Sequence, residues 1–233
     1  MITLALEISG PVGSVALRRD GRLLGERVLN TREQHSSRLL PTADALLSEH
    51  GLAPRDVELW AVGLGPGSYT GIRVGIAAAK GFALATGRPL AGAGSVEALA
   101  LEHGRDGAVA VIVDARRGEF YFLLTVAGET VVPLQILALD ALPGLVTQPA
   151  LFIGPEIKRW EPQIAARLGA RASFPPADVH PRAAFVAELA EKKFVAQGRG
   201  DEKIEPIYLR QMTFVKVSEQ SGPSVPHGHR MND

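Results

Sequence analysis

The sequence predicts an α/β protein assembled from a duplicated unit, and three observations carry that prediction. Short runs rich in valine, leucine and isoleucine open the chain in a hairpin pattern. A similar strand hairpin opens again at about residue 108. After each opening, strands alternate with segments of helical periodicity, the pattern of layered α/β folds. The repeat is one of order and not of letters.

The elements follow in chain order. ITLALEIS, GSVALRR and RLLGERVL read as three strands, with Asp20-Gly21 a hairpin turn between the second and third. Leu39, Leu40, Ala43, Leu46 and Leu47 recur at helical spacing from about Gln34 to His50, and Gly51 follows as a stop. Pro41 blurs the start of that helix. VELWAVGL is continuous enough for a strand buried on both faces. A second helix spans Tyr69 to Thr86, ended by Gly87 and Pro89. PLAGAGS is a short strand, and SVEALALEHG a helix that closes the half. AVAVIVDA and EFYFLLTV form the second hairpin around ARRGE, followed by the strand ALFIGP. PRAAFVAELAEKKFVAQG is an amphipathic helix with Ala183, Phe185, Val186, Leu189 and Ala190 inward. The break near His103 to Gly107 puts the halves at 1–103 and 104–217, and the polar residues 218–233 read as a disordered tail.

Composition narrows the function classes. Over 233 residues, lysine plus arginine equals aspartate plus glutamate at 25 each. No net field therefore draws in nucleic acid or an anionic membrane. The chain has no cysteine, which excludes disulfides and thiolate metal sites and fits a reducing cytoplasm. MITLALEIS runs straight into a strand pattern, so no signal peptide is expected, and no apolar run is long enough for a membrane span.

The stretch GLGPGSYTGIRVG at residues 63–75 concentrates five glycines between two apolar runs. It is not a phosphate-binding P-loop, because no lysine follows until Lys80. Nor is it a dinucleotide fingerprint: Gly65 and Gly67 are followed by Gly71, one residue too late. The helix behind it is more informative. From Gly71 to Ala85 its only charges are Arg73 and Lys80, on one stripe, while Gly71, Gly75 and Ala79 stand four apart. A helix apolar nearly all round is buried nearly all round, and each interior glycine costs ~1 kcal/mol against alanine. The expectation is a partner interface formed by Leu39, Ala43, Gly71, Ile72, Gly75, Ala78, Ala79 and Phe82. The competing reading is burial inside the subunit itself.

The catalytic inventory is thin. Of six histidines only His227 and His229 are close, and they fall in the tail. Glu7, at the end of the first strand, and Ser9 are candidates for a vestigial nucleotide site. Asp114 stands at the corresponding place in the second hairpin, followed by Arg116 and Arg117.

LALEIS–GSVAL, EQHSSRLLPTADALL, GLGPGSYTGIRVGIAAAKGFA, IVDARRGEFYF and PIYLR, in that order over residues 1 to about 210, resemble the TsaB (YeaZ) family. The resemblance implies an actin-like, Hsp70-like fold of two RNase H-like halves. It also implies a role in making threonylcarbamoyladenosine at position 37 of tRNA, as a non-catalytic partner of the paralogous transferase TsaD, joined by the ATPase TsaE. TsaD-like enzymes carry His-x-Glu-x-His where this chain has Ser95-Val96-Glu97-Ala98-Leu99. No metal and no cofactor are therefore expected. Alone, the chain is expected to form a homodimer through the same surface, and to meet tRNA only in the complex. The alternatives are an actin-like ATPase or sugar kinase using Glu7, Ser9 and the glycine loop, and a metallopeptidase, which the missing histidines oppose.

Overall fold

The computed structural model describes residues 1–29, 32–104 and 106–209. Two five-stranded sheets form the frame. The first contains β1 (Ile2–Glu7), β2 (Gly13–Arg19), β3 (Arg22–Leu29), β4 (Leu59–Gly63) and β5 (Leu90–Ala93), in the order β3-β2-β1-β4-β5. The second contains β6 (Ala108–Arg116), β7 (Glu119–Val126), β8 (Glu129–Ala138), β9 (Ala150–Ile153) and β10 (Ala172–Ser173), in the order β10-β9-β6-β7-β8. In each sheet the first three strands are antiparallel, and the fourth and fifth run parallel to the first. The duplication read from the sequence is thus a repeat of topology.

Among the described residues six α-helices cover these sheets: α1 (Arg32–Glu49), α2 (Tyr69–Thr86), α3 (Ser95–His103), the single turn α4 (Leu142–Leu145), α5 (Ile157–Leu168) and α6 (Ala183–Gln197). Alternation along the first sheet sorts side chains by size. Leu4, Leu6, Val15, Leu17, Trp60 and Val62 face α1 and α2. Ala5, Ala16, Ala61, Ala91 and Ala93 face Ala183, Ala184, Val186, Ala187 and Ala190 of α6. Successive strand residues point to opposite faces, so a strand that alternates large with small builds one thick layer and one thin layer. The thin layer brings α6 close to the sheet.

The helices also cross between halves. α6, which the sequence groups with the second half, packs on β1, β2, β4 and β5. α3, from the first half, lays Val96, Leu99 and Ala100 against Val109, Val111, Leu123 and Ile153 of the second sheet. The two helices touch each other. A cut at 103/104 therefore divides the chain but not the packing.

β8, α5 and β10 are absent from the sequence reading. β8 is an edge strand whose burial pattern is mostly open, and it carries Pro133, a residue tolerated where no ladder bond is donated. Pro162 lies inside α5 and interrupts a pattern that otherwise places Ile157, Trp160, Ile164 and Leu168 on one buried face. Beyond α6, residues 199–209 run back over the first half. Asp201 accepts hydrogen bonds from the Gly92 amide (2.8 Å) and the Lys193 ammonium (2.8 Å). Ile204 is buried in the first core, and the Ile207 amide donates to the Leu64 carbonyl at 2.9 Å. The expected tail 218–233, with His227 and His229, lies outside the described residues.

Candidate functional site

The glycine loop is shaped by the end of β1. The Ser68 amide donates to the Ser9 carbonyl at 2.6 Å. A side chain on Gly67 would start 2.3 Å from that same oxygen, and one on Gly71 would start 2.1 Å from the Ile8 carbonyl. These glycines let the loop and the first turn of α2 rest directly on the β1 backbone. Ser68 caps the helix, accepting from the Gly71 amide at 3.2 Å.

Beneath the loop, Glu7 is completely buried. One carboxylate oxygen accepts from the Ser9 amide at 2.6 Å, and the other from the Ser95 hydroxyl at 2.6 Å. Ser95 accepts in turn from the Gly65 amide at 3.0 Å. Gly63 leaves the space for this, since a Cβ there would lie 1.8 Å from Glu7 Oε2. Burial pushes the Glu7 carboxyl above its ordinary range, while the hydrogen bonds from Ser9 and Ser95 pull the other way. The candidate pair Glu7 and Ser9 thus braces β1, the loop and α3 together. With both oxygens engaged and no exposure, Glu7 is not placed to hold magnesium or to activate water in a cleft.

Ser95 and Leu99 do not fit a metal held by paired imidazoles. The Ser95 hydroxyl is committed to Glu7 and Gly65, and Leu99 is fully buried among the valines of the second sheet. Among the described residues no group of three or more histidine, cysteine, aspartate or glutamate side chains is placed to hold a metal ion. A cleft of about 350 Å³ opens between the two hairpins, lined by Ser9, Gly10 and Pro11 from one and Asp114, Ala115 and Arg116 from the other. Asp114 accepts the Arg116 amide at 2.8 Å and pairs with Arg159 at 3.3 Å. That carboxylate is neutralised by its own neighbours, and the hairpin tip is an ion-paired turn.

The expected partner surface needs correction. Leu39, Ala43, Ile72, Gly75 and Ala79 are buried inside the subunit's own first core. A Cβ on Gly75 would lie 3.2 Å from Ile8 Cγ1, so the glycine stripe meets β1 and β4. Gly71 is closed off by Ile8 as described, and Phe82 stacks on Trp60 with ring centroids 4.3 Å apart. Ala78 is half-buried against the same core. The glycine spacing marks close contact between helix and sheet, not between helix and partner.

The expectation of burial nearly all round α2 does not hold, because one face of the helix is open to solvent. Arg73, Ala77, Lys80, Gly81, Leu84 and Ala85 are exposed, Leu84 at 87%. Nothing lies within 4 Å of a Cβ on Gly81. Leu40 of α1 is also exposed, at 49%. At the start of α2, the Arg73 guanidinium lies 4.1 Å from the Tyr69 ring centre and donates to the Tyr208 hydroxyl at 3.0 Å. This clasp ties the C-terminal segment to α2, and it is invisible in sequence because its members are 135 residues apart.

Comparison with known proteins follows the same lines. Residues 22–198 match the family described as TsaD, tRNA N6-adenosine threonylcarbamoyltransferase. The chain is 34% identical over 220 residues to the tRNA threonylcarbamoyladenosine biosynthesis protein TsaB of Bacillus subtilis, covering 90% of this chain and 94% of that protein. It is 38% identical to Escherichia coli TsaB over 125 residues, 52% of this chain and 54% of that one. The structure of YeaZ from Pseudomonas aeruginosa superposes with a TM-score of 0.74 at 29% identity, covering 89% of this chain and 99% of that chain. Component A of the (R)-2-hydroxyglutaryl-CoA dehydratase of Acidaminococcus fermentans shares the fold alone, with a TM-score of 0.52 at 10% identity over 84% of this chain and 99% of that one. Two mixed sheets of matching order, flanked by helices, make the architecture actin-like.

Proposed function

Because the chain belongs to the family of TsaD, the tRNA N6-adenosine threonylcarbamoyltransferase, and within it to the TsaB (YeaZ) group, we propose that it acts in threonylcarbamoyladenosine formation on tRNA as a non-catalytic partner of TsaD. The observation that carries this reading is the fate of Ser95 and Leu99. One spends its hydroxyl on Glu7 and Gly65, and the other fills the second core, so neither is available as a metal ligand. The transferase metal and nucleotide belong to TsaD, and this chain supplies a docking face. TsaE joins the pair in a larger complex.

The docking face is the outward side of α2 with the adjoining exposed part of α1: Leu40, Ala77, Gly81, Leu84 and Ala85. Small residues over three turns let another helix approach closely, and Leu84 supplies an apolar anchor. In the absence of TsaD, a second copy occupies this face and forms a homodimer. The balanced charge leaves tRNA binding to the assembled complex.

The test is reconstitution. TsaD and TsaE with the wild-type chain modify tRNA, and the isolated chain transfers no threonylcarbamoyl group and carries no stoichiometric iron or zinc. Leu84→Glu, at an 87% exposed position, is expected to keep the fold and to abolish co-purification with TsaD. Transfer by the isolated chain, or a full equivalent of metal by elemental analysis, overturns the reading. Wild-type co-purification of Leu84→Glu would move the docking face elsewhere.

A further inference from the structure

A second cavity, of about 230 Å³, lies between α3, the β7–β8 hairpin and α6. It shares no lining residue with the cleft between the hairpins and none with α1 or α2. Its walls are mostly apolar: Ala100 and Leu101 from α3, Leu123 from β7 and Leu189 from α6. Three polar side chains, Glu97, Thr125 and Thr130, interrupt them. Glu97 and Thr125 each carry a buried oxygen with no hydrogen-bond partner, Glu97 Oε2 and Thr125 Oγ1. Thr125 is only 5% exposed, so bulk water does not serve its hydroxyl.

Buried polar groups are paired in the great majority of native structures, and each exception calls for a cause. Glu97 is the third residue of α3, and its carboxylate folds back over the helix start, where a Cβ on Gly94 would lie 1.8 Å from Oε2, yet Oε2 still has no hydrogen-bond partner. Burial raises the Glu97 carboxyl above its ordinary range, and the only opposing influence is its own backbone amide, with no cationic side chain acting on it. The carboxyl group thus lines a largely apolar chamber without a cationic partner, and the Thr125 hydroxyl lines the same chamber without a partner of its own.

We infer that this cavity binds a small alkylammonium compound, its cationic head on Glu97 and Thr125 and its carbon chain among Leu101, Leu123 and Leu189. The volume holds a molecule of roughly five to seven non-hydrogen atoms at about 30 Å³ per water-sized group. The ammonium pairs with Glu97 and donates to Thr125, and the chain covers apolar wall. Because the lining joins α3, seated on the second sheet, to α6, seated on the first, an occupant bridges the two halves.

The probe is n-butylammonium, titrated near neutral pH into the full chain labelled at leucine and threonine methyl groups, with n-butanol as a neutral control of equal length. The expected result is saturable shifts at Leu101, Leu123, Thr125 and Leu189, with millimolar or tighter affinity for the cation. Wild type should bind the alcohol, and the Glu97→Gln variant should bind the cation, each at least about tenfold more weakly than wild type binds the cation. Thr125→Val gives a second variant, with a smaller loss expected, should Glu97→Gln not fold. No saturable shift at these methyls overturns the inference. Equal binding of cation and alcohol overturns it too, since the cavity would then be an apolar void without charge recognition.

Discussion

Leucine placed at Gly75 and at Gly81, six residues apart on one helix, should have opposite effects. At Gly75 the new Cβ starts 3.2 Å from Ile8 Cγ1 and 3.6 Å from Val62 Cγ2, and three further carbons must enter a fully packed core. Overpacking at such a site costs about 3 kcal/mol, against a helix-propensity gain of about 1 kcal/mol, for a net loss of about 2 kcal/mol. At Gly81 no atom lies within 4 Å of the new Cβ, so only the gain of about 1 kcal/mol remains. The variants should diverge by about 3 kcal/mol, or about 6–12 °C in melting temperature for a chain of this size. Urea denaturation gives the stabilities, and size-exclusion chromatography with TsaD gives the association. Gly81→Leu should fold better and associate worse, while Gly75→Leu should lose stability first. Equal stability of the two variants would refute the inward packing of the glycine stripe. Unchanged association of Gly81→Leu with TsaD would refute the outward face as the docking surface.

Three other outcomes follow from the contacts. Gly71→Ala sets a Cβ 2.1 Å from the Ile8 carbonyl, where backbone and not a flexible side chain must yield, and should cost more than about 3 kcal/mol in denaturant titration. Glu7 has a raised folded pKa, so its contribution is fully present below the ordinary value of 4.5 and is lost as the pH rises through the raised value. The stability of wild type minus that of Glu7→Gln should therefore fall with rising pH across that window, and a flat difference contradicts the buried assignment. Asp201→Ala strands the Gly92 amide and the Lys193 ammonium and should cost about 1–3 kcal/mol, partly restored by Asp201→Asn.

Elements with strong local periodicity are legible in the letters. The first three strands, α1, α2 and the β6–β7 hairpin follow from alternation, turn chemistry and apolar spacing, and the topological repeat follows from their order. β8 and α5 are not legible, because an edge strand has little inward pattern and a proline interrupts the helical one. The glycine stripe on α2 shows that backbones meet closely, but close approach to a sheet and close approach to a helix leave the same spacing. The charges distinguish them. Arg73 and Lys80 mark the solvent side, and the stripe opposite them is the one that touches β1. The bond from Ser95 to Glu7 spans 88 residues and belongs to tertiary structure alone, although each residue had been singled out separately.

The first sheet is covered by the last helix and the segment that follows it, and this bears on when the molecule can become stable during synthesis. The alanine face of β1, β2, β4 and β5 is covered by α6, and residues 199–209 then close over β5 and α2. A ribosome that has released only the first hundred residues presents a sheet with one apolar face bare. Domains often fold in turn as they emerge, but here the earliest strands must wait for the latest helix. Until α6 has emerged, that alanine face has no cover from its own chain. Neither sheet keeps its full cover without a helix from the other half, so the finished protein is expected to unfold as one unit.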